Sequence, residues 1–179
     1  MRISKAYIEI TNRCNLNCTT CYNRSGLNTV TREIGVTELE RMITTFTAYG
    51  AKRMLISGGE PTLHSEFEKI AALPSRYPQL SFGVTTNGTT AAARSVLAPA
   101  IKSQKNMTLQ ISLDGSSEET NALTRGRGNF EKAVEFARSV SDSPAEKRLK
   151  MVVSRGNLAD VEKFYRLALS LGFTPEFAF

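Results

Sequence analysis

The stretch Arg53-Met54-Leu55-Ile56-Ser57-Gly58-Gly59-Glu60-Pro61 sets the pattern of the whole chain. An apolar run of strand type breaks into two glycines, an acid and a proline, and a segment of helical period follows. The same order recurs on both sides. Expected strands are Tyr7–Ile10, Arg53–Ser57, Leu80–Thr85, Met107–Leu113, Leu149–Val153 and Glu176–Phe179. Helix starts lie between them. Thr37 with Glu40 reads as a capping box ahead of Leu39, Met42, Ile43 and Phe46. Ser65 with Glu68 repeats it ahead of Phe67, Ile70 and Ala71. An alanine-rich helix over Thr89–Ala98 is expected to stop at Pro99. Asn129 and Asn157 read as caps of two further helices, the second stopped by Gly172.

Strands alternating with helices predict an α/β fold with a parallel sheet. A complete eight-unit barrel needs about 31 residues per unit, so this length holds about six units. The expectation is a partial (βα)6 TIM-like barrel with its last helix missing. Residues 1–179 should form one core domain, incomplete at the C-terminus. A doubly wound sheet is the rival. It lacks its fingerprint, because Gly126 and Gly128 are followed by Glu131 where a third glycine would stand.

The 179 residues are 41% hydrophobic and 22% charged, as one globular domain requires. At this size roughly 70% of the unfolded surface can be buried, so a core forms without staples. No apolar run reaches about 18 residues, so no membrane span is expected. The first residues show no secretory h-region, which makes the cytoplasm the expected location. The net charge is +6, with most of the excess between Leu123 and Arg155. Aromatics do not interleave it and Trp is absent, so a solvated basic face is expected rather than a nucleic-acid groove.

All three cysteines, Cys14, Cys18 and Cys21, fall after the first strand in a C-x3-C-x2-C pattern. An odd count in an intracellular chain argues against a disulfide framework. Thiolates at such spacing commonly hold iron–sulfur clusters. Three of them on a four-iron cube leave one iron open, and an open position marks a reactive metal site. Two readings compete: a Cys3His zinc site using His64, and an electron-transfer iron–sulfur protein. In a parallel barrel the segments after each strand share one mouth. Gly58-Gly59-Glu60-Pro61, Thr86-Asn87-Gly88, Asp114-Gly115-Ser116 with Arg125, and Ser154-Arg155-Gly156-Asn157 therefore converge with the cysteines. Two glycines allow close approach of a ligand to backbone, and Glu60 adds an acceptor for a cationic amino group.

The cysteine spacing followed by Gly-Gly-Glu-Pro resembles the radical S-adenosylmethionine (radical SAM) superfamily, across nearly the whole chain. The resemblance implies a [4Fe–4S] cluster on Cys14, Cys18 and Cys21. It implies that S-adenosylmethionine (SAM) chelates the open iron and is cleaved reductively to a 5′-deoxyadenosyl radical, which abstracts hydrogen from substrate. Gly58, Gly59 and Glu60 resemble the segment that receives the methionine amino group. Thr86 and Asn87 match the polar strand end beside the cofactor, and Ser112 and Asp114 resemble a stretch near the ribose. Arg125 matches the arginine that pairs with the methionine carboxylate, where a guanidinium fork is suited. Tyr22 matches an aromatic beside cluster and adenine. Thr20 departs from the aromatic commonly found before the last cysteine. The Ser-Leu-Asp-Gly and Arg-Gly-x-Gly patterns resemble the peptide-maturing, SPASM-type subgroup, but no Cys follows Cys21 to hold an auxiliary cluster. A small-molecule or peptide substrate and an external electron donor are the expected partners.

Overall fold

A computed structural model describes residues 3–179. Six strands form one sheet in the order β1-β2-β3-β4-β5-β6. They are β1 (Lys5–Glu9), β2 (Arg53–Ser57), β3 (Ser81–Thr86), β4 (Met107–Ser112), β5 (Glu146–Val152) and β6 (Thr174–Ala178). Every neighbouring pair is parallel. Sequential order in a parallel sheet is barrel topology, since a doubly wound sheet reverses its order at a switch point. The helices are α1 (Val36–Ala48), α2 (Phe67–Arg76), α3 (Ala98–Ser103), α4 (Glu118–Arg125), α5 (Phe130–Ser139) and α6 (Val161–Ser170).

Side chains alternate across the sheet. On one face Ile8, Met54, Ile56, Phe82, Val84, Leu109, Ile111, Leu149 and Met151 are buried. They meet the apolar stripes of the helices: Leu39 and Ile43 from α1, Phe67, Ile70 and Leu73 from α2, Val134 and Phe136 from α5, and Phe164 from α6. Each such side chain contributes roughly 1.5–3 kcal/mol by leaving water. The other, concave face carries Lys5, Tyr7, Arg53, Arg148 and Lys150, and it is open.

Several local expectations are corrected. The helix after β3 runs through Pro99 and ends at Ser103. A π-helical turn over Ala93–Leu97 widens it just before the proline, and the Ala98 N–H reaches back to the Ala93 carbonyl. That wider turn accommodates a ring that an α-helical turn would exclude. Neither capping box forms. Gly35 precedes α1 without a side-chain cap. Ser65 turns away from α2, and its hydroxyl and N–H donate to Glu33 at 2.6 and 3.2 Å. Asn129 does sit at the N-cap of α5, but its amide bonds the preceding carbonyls of Arg125, Gly126 and Arg127. The buried Asn157 joins two loops by donating to the carbonyls of Asp114 and Val152 at 3.0 and 2.9 Å. Gly172 follows α6 with φ 75°, the left-handed stop expected of it. Among the described residues no helix is long and apolar enough to cross a membrane.

Candidate active site

The chain leaves β1 into a loop that carries the three cysteines. Its course is fixed by the segment after β2. The Gly59 N–H donates to the Thr11 carbonyl at 2.8 Å, and the Glu60 N–H donates to that of Arg13 at 2.7 Å. A Cβ on Gly58 would lie 2.3 Å from the Thr11 oxygen, and one on Gly59 would lie 2.2 Å from the Arg13 oxygen. The diglycine is therefore required first by the chain's own backbone, where the sequence suggested room for a ligand. From the other side, the Asn15 amide donates to Thr89 at 2.9 Å and accepts from Asn87 at 3.0 Å. The Thr19 N–H donates to the Thr124 carbonyl on α4 at 2.9 Å. The cysteine loop is thus tied to β2, β3 and α4.

One cavity of about 180 Å³ gathers this region. Cys14, Cys18 and Cys21 line it together with Gly58, Gly59 and Glu60. The ends of β3 and β4 add Thr86, Asn87 and Ser112, and α4 adds Arg125. Every one of these lies at or beyond the C-terminal end of a strand, where barrel chemistry resides. Burial raises the Cys14 thiol pKa to about 11, against a 3.4 Å bond from the Leu16 N–H. Burial also raises that of Cys18, while the nearby Arg125 charge pulls the other way.

Glu60 is buried and receives four donors: the N–H and hydroxyl of Thr62 at 3.2 and 2.6 Å, the Thr86 hydroxyl at 2.7 Å and the Asn87 N–H at 2.7 Å. Burial raises its carboxyl pKa and the donors oppose that rise. Oε1 takes three of these donors and Oε2 takes the Asn87 N–H, so Glu60 locks the β2 turn to the end of β3.

Asp114 is fully buried. Its carboxylate faces the Arg125 guanidinium at 2.8 Å and accepts from the Thr124 hydroxyl at 2.9 Å and the Val152 N–H at 2.8 Å. It does not line the cavity; it holds Arg125, which does. Tyr22 is 93% exposed and lies outside the cavity wall, because the loop turns outward after Cys21. Sequence reasoning passed over Ser57, Thr85 and Val152, which line the cavity, and Asn15, which braces it. The strand-end positions of the first three were the available signal, since β2 and β5 stop at Ser57 and Val152 and β3 stops one residue after Thr85.

The zinc alternative fails on His64. Its Nε2 sits 3.0 Å from the Ile34 carbonyl, and its Nδ1 accepts from the Glu66 N–H at 3.0 Å. Both nitrogens are used inside the protein and neither is left for a metal. Cys14, Cys18 and Cys21 line the cavity together and the chain holds no fourth cysteine, a donor set that fits a cluster held at three corners.

An open parallel barrel with a three-thiol loop docked on a diglycine turn defines a class. The chain belongs to the radical SAM superfamily, whose family model matches residues 8–174. This family uses a [4Fe–4S] cluster and SAM. The chain is 36% identical over 160 residues to a probable GTP 3′,8-cyclase of Methanocella arvoryzae, covering 87% of this chain and 49% of the relative. It is 30% identical over 173 residues to mycofactocin maturase MftC of Mycolicibacterium smegmatis, covering 93% and 42%. It therefore spans under half the length of these relatives. Among solved structures, Streptococcus suis SuiB bound to SAM matches with a TM-score of 0.84 at 15% identity, over 96% of this chain and 39% of that one. SuiB is also solved with its precursor peptide SuiA. The protein anSMEcpe with bound AdoMet matches with a TM-score of 0.78 at 25% identity, over 99% and 51%.

Proposed function

We propose that this chain is the catalytic core of a radical SAM enzyme that removes a hydrogen atom from a peptide substrate. The observation that carries this reading is the single cavity shared by three thiols, the diglycine turn and Arg125. When bound, cluster and SAM supply an electron and a 5′-deoxyadenosyl radical for that hydrogen abstraction.

The chain's own residues bind and orient. Cys14, Cys18 and Cys21 would hold three irons. Arg125, only 12% exposed, presents its guanidinium to a carboxylate in the cavity. The Gly58 and Gly59 backbone would face the methionine amino group. Thr86 and Asn87 hold the turn that frames them, and Ser112 supplies a hydroxyl from the end of β4. The electron-transfer alternative has no use for Arg125 in the cavity wall. A reducing compartment, the cytoplasm, keeps the three thiols reduced, and an external donor supplies the electron. A peptide substrate is favoured by the peptide-bound structural neighbour and by the maturase relative.

The test is anaerobic reconstitution with iron and sulfide, followed by SAM and a strong reductant, with 5′-deoxyadenosine as the readout. The wild type should form it and Cys18→Ala should not. Formation by Cys18→Ala at the wild-type rate would overturn the reading.

A further inference from the structure

The concave face of the sheet forms a second cavity of about 330 Å³. It adjoins the thiol cavity, because Ser57 and Thr85 line both. In a complete barrel this interior is filled by layers of branched aliphatic side chains. Here it is charged. Lys5, Arg53, Arg148 and Lys150 line it with only two acids, Glu146 and Glu176. Lys150 pairs in register with Ser112, which lines the thiol cavity, so the charged rows begin directly beside that site.

The cations are only partly satisfied. Arg148 contacts both Glu146 and Glu176, the latter at 3.7 Å. Lys150 meets the same Glu176 at 2.9 Å, and Arg53 lies 3.6 Å from Glu146. Lys5 rests over the Tyr7 ring at 5.2 Å and forms no ion pair among the described residues. Side-chain exposures of 31–47% for the paired groups leave them open to a ligand. Two cations are thus in excess. Arg148 and Lys150 are already spaced to grip carboxylates, since that is what each holds.

We infer that this charged lumen receives an acidic side chain of the peptide substrate, which replaces Glu176 on Arg148 and Lys150. The inference rests on the proposed function and names the substrate class for it. An excess of two positive charges matches one or two carboxylates. It does not match a triphosphate, whose larger charge would also meet the two lumen glutamates.

The test is fluorescence anisotropy with a labelled N-acetyl tetraglutamate amide on the reconstituted, SAM-bound protein. Tetraglutamine and tetralysine peptides are controls, and unlabelled GTP is the competitor. Tetraglutamate should bind and the controls should not. Arg148→Gln and Lys150→Gln should each weaken it about tenfold, near 1.4 kcal/mol. Glu176→Gln should tighten it severalfold, which a merely structural loss would not do. Lys132→Gln, on the outer face of α5, should leave binding unchanged. The inference is overturned if tetraglutamine binds equally well, if Lys132→Gln weakens binding as much as Arg148→Gln, if Glu176→Gln weakens it, or if GTP binds and tetraglutamate does not. Wild-type 5′-deoxyadenosine formation without peptide is read in the same preparation. Its presence with no tetraglutamate binding removes only this inference, and its absence removes the proposed function.

Discussion

Arg125 Nε lies 2.8 Å from Asp114 Oδ2, and the pair joins the C-terminal end of α4 to the turn after β4. The acid is fully buried and the arginine nearly so. Breaking such a pair leaves an uncompensated charge and costs about 3–5 kcal/mol. Asp114→Asn should therefore lower stability by about 3 kcal/mol in a denaturant titration, within that range. It should also weaken SAM binding by calorimetry on the reconstituted protein, because Arg125 loses its support. Unchanged SAM affinity would show that Arg125 needs no such positioning.

Gly59→Ala tests the docking of the cysteine loop. The added methyl group would meet the Arg13 carbonyl at 2.2 Å, and that atom is backbone. The loop must move, and the thiols move with it. Iron and sulfide bound per chain after reconstitution should fall severalfold. Gly35→Ala, where a Cβ meets nothing within 4 Å, should leave the metal content intact.

Asn15 ties the same loop to the residues that follow β3. Asn15→Ala removes two side-chain hydrogen bonds, to Thr89 and from Asn87, and leaves the Asn87 amide short of a partner. We predict a loss of about 1–2 kcal/mol. Faster hydrogen exchange at residues 14–21, measured by mass spectrometry, should accompany it.

Glu33 gives a pH signature. Partial burial pushes its pKa up, but donation from Ser65 and Thr11 and the nearby His64 bring it below the ordinary 4.5. A carboxylate whose folded pKa is depressed contributes stability above its unfolded pKa and loses it as pH falls through the folded value. Glu33→Gln should thus be less stable than wild type at pH 7, by about 1–2 kcal/mol. The difference should shrink below about pH 4.5, measured by chemical denaturation across pH.

The barrel was legible because its strands bury one face, so Met54-Leu55-Ile56 stands out as an apolar run and Met107, Leu109 and Ile111 as an apolar alternation. The convergence of Cys14, Gly58 and Asn87 followed from parallel topology alone, since each trails a strand. Helix α4 was not legible. It is short, and its inward residues, Asn121 and Thr124, are polar and serve Asp114 through hydrogen bonds. Periodicity of apolar residues has no grip on such a helix. The hydrogen-bond partners of Glu60 and Asp114 were not legible for a related reason. A motif names an acid but not the donors around it, and Thr86, Asn87, Thr124 and Val152 all lie outside the motifs they serve. Tyr22 shows the same limit, because its direction depends on a turn that spacing does not specify.

The central claim is that three thiols hold a cluster whose fourth corner takes SAM. Low-temperature electron paramagnetic resonance of the reconstituted, reduced protein tests it most directly. The account predicts about four irons per chain and a reduced-cluster signal that changes shape when SAM is added, with both lost in Cys18→Ala. A signal indifferent to SAM, or one that survives unaltered in Cys18→Ala, would contradict it.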